Sequence, residues 1–164
     1  RRILIEKEIR DELARLSITD NLTGLFNQRH FYNRLKEEID RANRQKHPLS
    51  LILLDLDNFK YFNDKYGHLA GDQMLASSGK IILSNIRDSV DTAFRYGGDE
   101  FAVILVEADS TMARTISERL RSGFKTESAV TASVGYATYE KGMEITDLIG
   151  QADRNLYRKK NKGQ

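Results

Sequence analysis

The chain has 164 residues, of which 40% are hydrophobic and 30% are charged, and this suits one compact domain with a filled core. Its 26 basic and 24 acidic residues leave a net charge of +2, which gives no support to a nucleic-acid surface, since that needs a clustered basic excess. The lack of cysteine excludes disulfides, thiolate metal sites and a cysteine nucleophile, and is compatible with a reducing cytosol. No membrane-spanning run or signal peptide is visible. Because the sequence begins at Arg1 without a methionine, we expect a piece of a longer protein.

The first 17 residues predict a highly charged helix with a narrow apolar stripe. Such a stripe buries too little by itself, so this helix either packs on the domain or pairs with another copy. A mere flanking helix at the N-terminus is the alternative. The stripe consists of Ile5, Ile9, Leu13 and Leu16. A loop containing Gly24 follows, and a second helix is predicted from Phe31 to Ala42, before Pro48.

The rest of the chain alternates strand and helix patterns. The apolar run LSLILLDLDNF predicts a central strand that is buried on both faces. The elements predicted after it are a helix over residues 67–87, a hairpin over 92–106, a helix over 109–124 with Asp109 as N-cap, a strand over 130–139 and a last helix through Ile145 to Leu156. This order predicts an α+β fold with an antiparallel-rich sheet and helices packed over it.

The hairpin tip carries Gly97, Gly98, Asp99 and Glu100 in succession. Glycine supplies the positive φ that two-residue turns often need, and it lets a backbone approach a bulky ligand. Two successive carboxylates repel each other unless a cation lies between them. An ordinary polar turn would also use these residues, so the tip by itself leaves both interpretations open.

A second acidic site ends the predicted central strand. Alternation places Asp55 and Asp57 on one face of the strand and Leu56 on the other. Carboxylates at the mouth of an apolar strand are costly unless they are solvated or bind a metal. Without cysteine or clustered histidine, such oxygen donors favour Mg²⁺ or Mn²⁺ over zinc. A strand end that is merely acidic is the alternative.

The interpretation of both acidic sites as metal sites is stronger if the central strand and the hairpin are neighbours, because Asp55 then lies near Asp99. That arrangement suits two metals about 3.5–4 Å apart, which clamp the oxygens of a phosphoryl displacement. Lys60 follows and either contacts phosphate oxygens or is simply solvated.

Three polar residues come next: Asn63, His68 and Asp72. An amide with a carboxylate can recognise guanine, since the carboxylate accepts from its N1–H and N2–H₂ groups. However, NDKYGH has the composition of a loop, and taken alone these residues are better explained as cap or turn residues.

Six stretches resemble, in order and spacing, the GGDEF family, the diguanylate cyclases. They are DNLTGLFNQR at 20–29, DLDNFKYFND at 55–64, GHLAGD at 67–72, RYGGDEF at 95–101, ASVGYA at 132–137 and ADRNLYRKK at 152–160. The resemblance implies a palm-like, ferredoxin-like fold related to that of nucleotide cyclases. It divides the chain into a stalk helix over residues 1–19 and a catalytic GGDEF domain over residues 20–164.

The resemblance also implies condensation of two GTP into cyclic di-GMP with release of two pyrophosphates. It implies two Mg²⁺ or Mn²⁺ ions per active site and a homodimer, because each domain holds one GTP. The expected setting is a cytoplasmic domain behind an upstream sensor, in a parent protein that is either membrane-anchored or free. A catalytically idle GTP-binding domain and a hybrid adenine–guanine cyclase are the rivals; the intact motif disfavours the first and Asp72 the second.

By position, the resemblance assigns a role to each candidate residue. It implies metal ligands at Asp55, the Leu56 carbonyl and Asp99; catalytic residues at Asp99, Glu100 and Lys60; and substrate contacts at Asn63, His68, Asp72, Gly97, Gly98 and Lys160.

Two departures from the family pattern stand out. The Arg-x-x-Asp inhibitory site of many members falls on Asp88 and Asp91, with Arg87 one place off, so we expect no tight product inhibition through it. The chain also has Gln164 where the family often has arginine, so one phosphate contact is expected to be missing.

Overall fold

The computed structural model describes residues 1–162, and the expectation about Gln164 lies outside the described residues. Over this range the chain forms six helices and one four-stranded sheet. The helices are α1 (Arg2–Ile18), α2 (Gln28–Gln45), α3 (Phe59–Tyr66), α4 (His68–Ser84), α5 (Ser110–Glu127) and α6 (Ile145–Lys162). The strands are β1 (Leu49–Leu56), β2 (Asp91–Arg95), β3 (Glu100–Val106) and β4 (Ala132–Thr138).

The sheet is antiparallel throughout, in the order β2-β3-β1-β4. After α2 the elements follow the β-α-β-β-α-β order of ferredoxin-like folds, with α3 and α4 together between β1 and β2, so the predicted α+β class and the N-terminal helix are confirmed. The central strand β1 pairs with β3 from Leu49, opposite Val106, to Asp55, opposite Glu100. This register places the end of β1 beside the tip of the β2–β3 hairpin.

Both faces of β1 are buried, as its nearly continuous apolar sequence predicts. Ile52, Leu54 and Leu56 belong to a core with apolar residues of α4 and α5. Leu51 and Leu53 belong to a second core with residues of α2 and α6. Because side chains alternate along a strand, Asp55 lies on the α6 face.

Helix α6 lies unusually close to β4. A Cβ added at Gly135 would collide with backbone atoms of Leu156 and Ala152 on α6. Only glycine permits this approach, which holds α6 and its basic end against the sheet beside the end of β1.

Helix α1 projects from the domain with no buried residue. Its large apolar side chains from Ile3 to Leu16 are 43–79% exposed. The structure therefore does not bear out packing of this helix on its own domain. Between residues 1 and 162, none of the helices combines the length and apolarity that crossing a bilayer requires.

Three element predictions need correction. The segment NDKYGH is not a loop: most of it belongs to α3, whose Phe59 and Phe62 pack on the core. Gly67, with φ of 90°, separates α3 from α4.

Helix α4 ends at Ser84 rather than at residue 87, because the Asn85 side chain donates to the Ile81 carbonyl at 2.7 Å. Strand β4 begins at residue 132 rather than 130.

Candidate active site at the end of the central strand

The structure brings together the two acidic sites that the sequence places 44 residues apart, at Asp55 and Asp99. Asp55 and Glu100 are opposite each other in the β1–β3 register. The Leu56 amide donates to the Asp99 carbonyl at 3.1 Å, which ties the tip of the hairpin to the end of β1. The predicted adjacency of strand and hairpin is therefore confirmed.

Asp55 has one satisfied oxygen and one unsatisfied oxygen. Its Oδ2 accepts a hydrogen bond from Lys160 Nζ at 3.0 Å. Its Oδ1 is buried and has no hydrogen-bond partner in the part of the chain that the structure describes. Burial raises the pKa of Asp55, Lys160 opposes that shift, and the nearby Asp99 and Asp57 add to it. Since buried polar atoms are normally paired, Oδ1 is an acceptor that a cation can satisfy.

The alternation pattern could not choose between Asp55 and Asp57, but their surroundings differ. Asp57 accepts from Thr131 Oγ1 and Ser133 Oγ, both at 2.6 Å, so each of its carboxylate oxygens has a partner. Asp57 thus holds the end of β1 to β4, and Asp55 is the carboxylate with free acceptor capacity.

Glu100 also lies in a crowded acidic environment. Partial burial raises the pKa of Glu100, and the carboxylates of Asp99, Asp55 and Asp153 raise it further. Asp153 on α6 was missed by the sequence analysis. The sequence contains a signal for it: Asp153 precedes Lys160 by seven residues, about two helical turns, so both residues lie on the same face of α6.

A cavity of about 430 Å³ lies between α6 and the ends of β1 and β3. Both acidic and basic groups line it, as a site for a metal and a phosphate requires. Its lining residues include Asp55, Glu100, Asp153, Arg154, Arg158 and Lys160.

The proposed metal position has few protein ligands. Within residues 1–162, no group of three or more His, Cys, Asp or Glu side chains converges closely enough to hold an ion. The expected set contains only two carboxylates, Asp55 and Asp99, with the Leu56 carbonyl. Mg²⁺ is usually bound through one or two carboxylates and completes its shell with water and substrate phosphate. The free Oδ1 of Asp55 and the shortage of protein ligands therefore fit an ion that arrives with a nucleotide.

Of the two roles expected for the signature glycines, positive φ and access for a ligand, the structure excludes the first. Gly97 and Gly98 lie in a four-residue connection between β2 and β3, and neither has positive φ. A Cβ at Gly97 would lie 2.5 Å from Glu100 Oε2, so glycine there makes room for that carboxylate. A Cβ at Gly98 would meet nothing within 4 Å, so the backbone there is open to close approach. The second predicted role of glycine, access for a ligand, is the one that the geometry allows.

The three predicted guanine-contacting residues lie on α3 and α4. Asn63 Oδ1 is buried without a hydrogen-bond partner among the described residues. The Asn63 side chain lies against Gly71, where a Cβ would overlap it, and Gly71 directly precedes the exposed Asp72. Asn63 of α3 thus lies against α4 one residue before Asp72 in the chain. His68 is exposed at the start of α4, and Lys60 is exposed in the first turn of α3.

The position of the family's inhibitory site holds an internal ion pair. The Asp91 carboxylate accepts from the Arg87 amide at 2.8 Å and from its guanidinium at 2.8–3.2 Å. The Asp91 side chain is fully buried, and Arg87 also donates to the Val106 carbonyl at 2.9 Å. Asp88, which stands at the family's arginine position, is exposed.

Taken together, fold and site define a class: a ferredoxin-like α+β domain whose central strand ends in a carboxylate beside an acidic, glycine-containing hairpin tip. The family model described as "Diguanylate cyclase, GGDEF domain" matches residues 17–164. The chain therefore belongs to the GGDEF family of diguanylate cyclases, and both the predicted family and the predicted enzyme class are confirmed.

Two relatives that are named diguanylate cyclases agree with this family assignment. The chain is 43% identical over 158 residues to diguanylate cyclase DgcS of Shewanella oneidensis, covering 93% of this chain and 53% of DgcS. It is 36% identical to diguanylate cyclase DosC of Escherichia coli K12, covering 99% of this chain and 37% of DosC. The chain thus spans about half or less of the length of these relatives.

A solved structure extends the likeness to the N-terminal helix. The coiled coil and GGDEF domain of DgcB from Caulobacter crescentus, in complex with c-di-GMP, superposes with a TM-score of 0.94 at 28% identity. The match covers 99% of this chain and 91% of that one.

Proposed function

We propose that this chain condenses two GTP molecules into cyclic di-GMP and releases two pyrophosphates. The observation that carries the proposal is the unpaired, buried Asp55 Oδ1 beside the Asp99–Glu100 tip. Relatives named diguanylate cyclases, at up to 43% identity, support the same activity.

In the proposed site, Asp55, the Leu56 carbonyl and Asp99 hold two Mg²⁺ or Mn²⁺ ions. In the reaction, the 3′-hydroxyl of one GTP attacks the α-phosphate of the other, and pyrophosphate leaves. Bound ions would lower the pKa of that hydroxyl and neutralise the leaving pyrophosphate. Asp99 accepts the proton of that hydroxyl, with Glu100 beside it. The raised pKa of Glu100 means that its negative charge is unfavourable beside the other carboxylates, and a bound cation would relieve this repulsion.

The remaining candidate residues bind and orient the nucleotide. Lys60 and Lys160 contact phosphate oxygens, and Lys160 already has its ammonium 3.0 Å from Asp55 at the mouth of the cavity. Asn63 and Asp72 read the guanine edge, with His68 nearby, and the free Asn63 Oδ1 suits a guanine N–H donor. The open face of Gly98 gives the phosphates access to the tip backbone.

The proposed reaction needs two chains, because each domain contributes one GTP. The exposed apolar stripe of α1 supports a homodimer through paired stalks. The end of α1 at Ile18 supports a boundary between a stalk over residues 1–19 and a catalytic domain over residues 20–164. In the parent protein we propose an upstream sensor before the stalk and a cytoplasmic catalytic domain.

The test is a product assay with purified protein, GTP and Mg²⁺ at several protein concentrations. We expect cyclic di-GMP, and we expect the rate per chain to rise with protein concentration until the dimer is saturated. GTP that is bound but not converted would instead favour the idle binding domain. A mixed product made when ATP is added would favour the hybrid cyclase.

We expect the product to inhibit the enzyme weakly, because Arg87 already occupies the Asp91 carboxylate. Initial rates measured against increasing cyclic di-GMP check this expectation. Strong non-competitive inhibition that disappears in Asp91→Asn, which keeps the side-chain shape, would contradict it.

A further inference from the structure

The segment between α1 and α2 forms a closed loop around Asp20. The Asp20 amide donates to the Leu25 carbonyl at 2.7 Å, and the Gly24 amide donates to the Asp20 carbonyl at 2.8 Å. The Asp20 carboxylate accepts from the Thr23 amide and hydroxyl at 3.0 and 2.7 Å. Asp20 is therefore fixed in place two residues after the stalk helix ends.

This loop runs along the edge of the sheet that carries the signature hairpin. Strand β2 forms this edge of the sheet, and the backbone of Phe26 pairs with it. The Phe26 amide donates to the Ala93 carbonyl, and the Phe26 carbonyl accepts from the Arg95 amide. The ring of Phe26 also packs on Phe94, with 5.8 Å between centroids. The segment that follows α1 is thus attached directly to the end of β2, just before the tip of the hairpin.

Arg95 connects the loop to the tip. Its Nη1 donates to Asp20 Oδ1 at 3.2 Å. Its Nε donates to the Gly97 carbonyl at 3.2 Å, and its Nη2 donates to the Gly98 carbonyl at 2.9 Å. About four-fifths of both side chains are shielded from solvent, so this is not a surface ion pair of negligible strength. A planar guanidinium offers this fork of donors, whereas an ammonium does not.

From these contacts we infer that Asp20 and Arg95 are positioning residues for the signature tip. Asp20 anchors the guanidinium, the guanidinium holds the two glycine carbonyls, and Asp99 follows the second glycine in sequence. The Asp20–Arg95 pair thereby forms a direct physical connection between the exit of the stalk and the proposed metal site. The kinetic part of this inference rests on the proposed function; the structural part does not.

Two variants weaken the contacts of Asp20 and Arg95 with little change in side-chain volume. Asp20→Asn keeps the side-chain shape but removes the charge that holds Arg95. Arg95→Lys keeps the charge but loses the fork that reaches both carbonyls. Glu118→Gln is the matched control, because Glu118 pairs with Arg114 at 3.4 Å on the exposed side of α5, far from the tip in the chain.

Hydrogen exchange of the full chain, read at the amides of residues 97–100, is the primary measurement. In both variants we expect faster exchange at these amides, with unchanged protection in β1 and α5. We further expect the kcat for GTP condensation to fall by about ten- to a hundredfold with little change in KM, since small misplacements of a catalytic group cost that much. The double variant should lose no more than the worse single variant, because both changes break one connection.

Unchanged exchange at the tip would overturn the inference, and so would a uniform loss of protection throughout the domain, which indicates a merely structural role. Wild-type protein without any turnover would instead count against the proposed cyclase activity. The exchange data remain readable in that case, so the two failures are distinguishable.

Discussion

Asp99→Ala is expected to lower cyclic di-GMP formation by about a thousandfold or more while leaving the fold intact. The variant removes a proposed metal ligand and proton acceptor, and such charge stabilisation is worth several kcal/mol in the transition state. The fold should survive because the backbone of Asp99, not its side chain, accepts the 3.1 Å hydrogen bond from Leu56.

Three measurements check this variant: product formation by chromatography, thermal unfolding, and the affinity for Mn²⁺ with GTP bound. Asp88→Ala is the matched control, since Asp88 is an exposed aspartate in the connection before β2. We expect the control to behave as wild type in all three. Near-normal turnover by Asp99→Ala would contradict the role that we propose for this residue.

Arg87→Ala is expected to lower the free energy of unfolding by ~3–5 kcal/mol, because it leaves the buried Asp91 carboxylate without a cationic partner. The variant also removes the hydrogen bond to the Val106 carbonyl at 2.9 Å, next to the loop after β3. Urea denaturation at neutral pH measures the loss as a lower midpoint.

Arg114→Ala provides the comparison, because Arg114 and Glu118 form the same i,i+4 pair with both side chains more than half exposed. We expect this control to lose at most about 0.5 kcal/mol. If both variants unfolded at the same urea concentration, burial of Asp91 would not be the reason that Arg87 matters.

Much of the fold is predictable from the sequence because its elements carry strong local signals. The run from Leu49 to Leu56 predicts a strand buried on both faces, and β1 is the central strand. Asp109 predicts the start of a helix, and its side chain accepts from the Met112 amide at 2.9 Å. These signals work because apolar periodicity and capping act over a few residues.

The errors arise where local composition and tertiary packing disagree. The polar segment at 63–68 has the composition of a loop, but Phe59 and Phe62 pack on the core and stabilise α3. Glycine pairs commonly mark turns with positive φ, but the longer connection at the tip lets Gly97 and Gly98 avoid it. For α3, packing against the rest of the domain overrides the local preference, whereas at the tip the length of the connection removes the need for positive φ.

By itself, the sequence determined the order of the strands and of the helices other than α3, the chemistry of the acidic residues and the family to which the chain belongs. Only the tertiary structure decided that Asp55 rather than Asp57 has a free oxygen, that Lys160 reaches Asp55 across 105 residues, and that Arg95 joins Asp20 across 75. The reason is physical: periodicity and capping report contacts within one element, whereas these pairs depend on sheet register and on how closely α6 and the stalk exit approach the sheet.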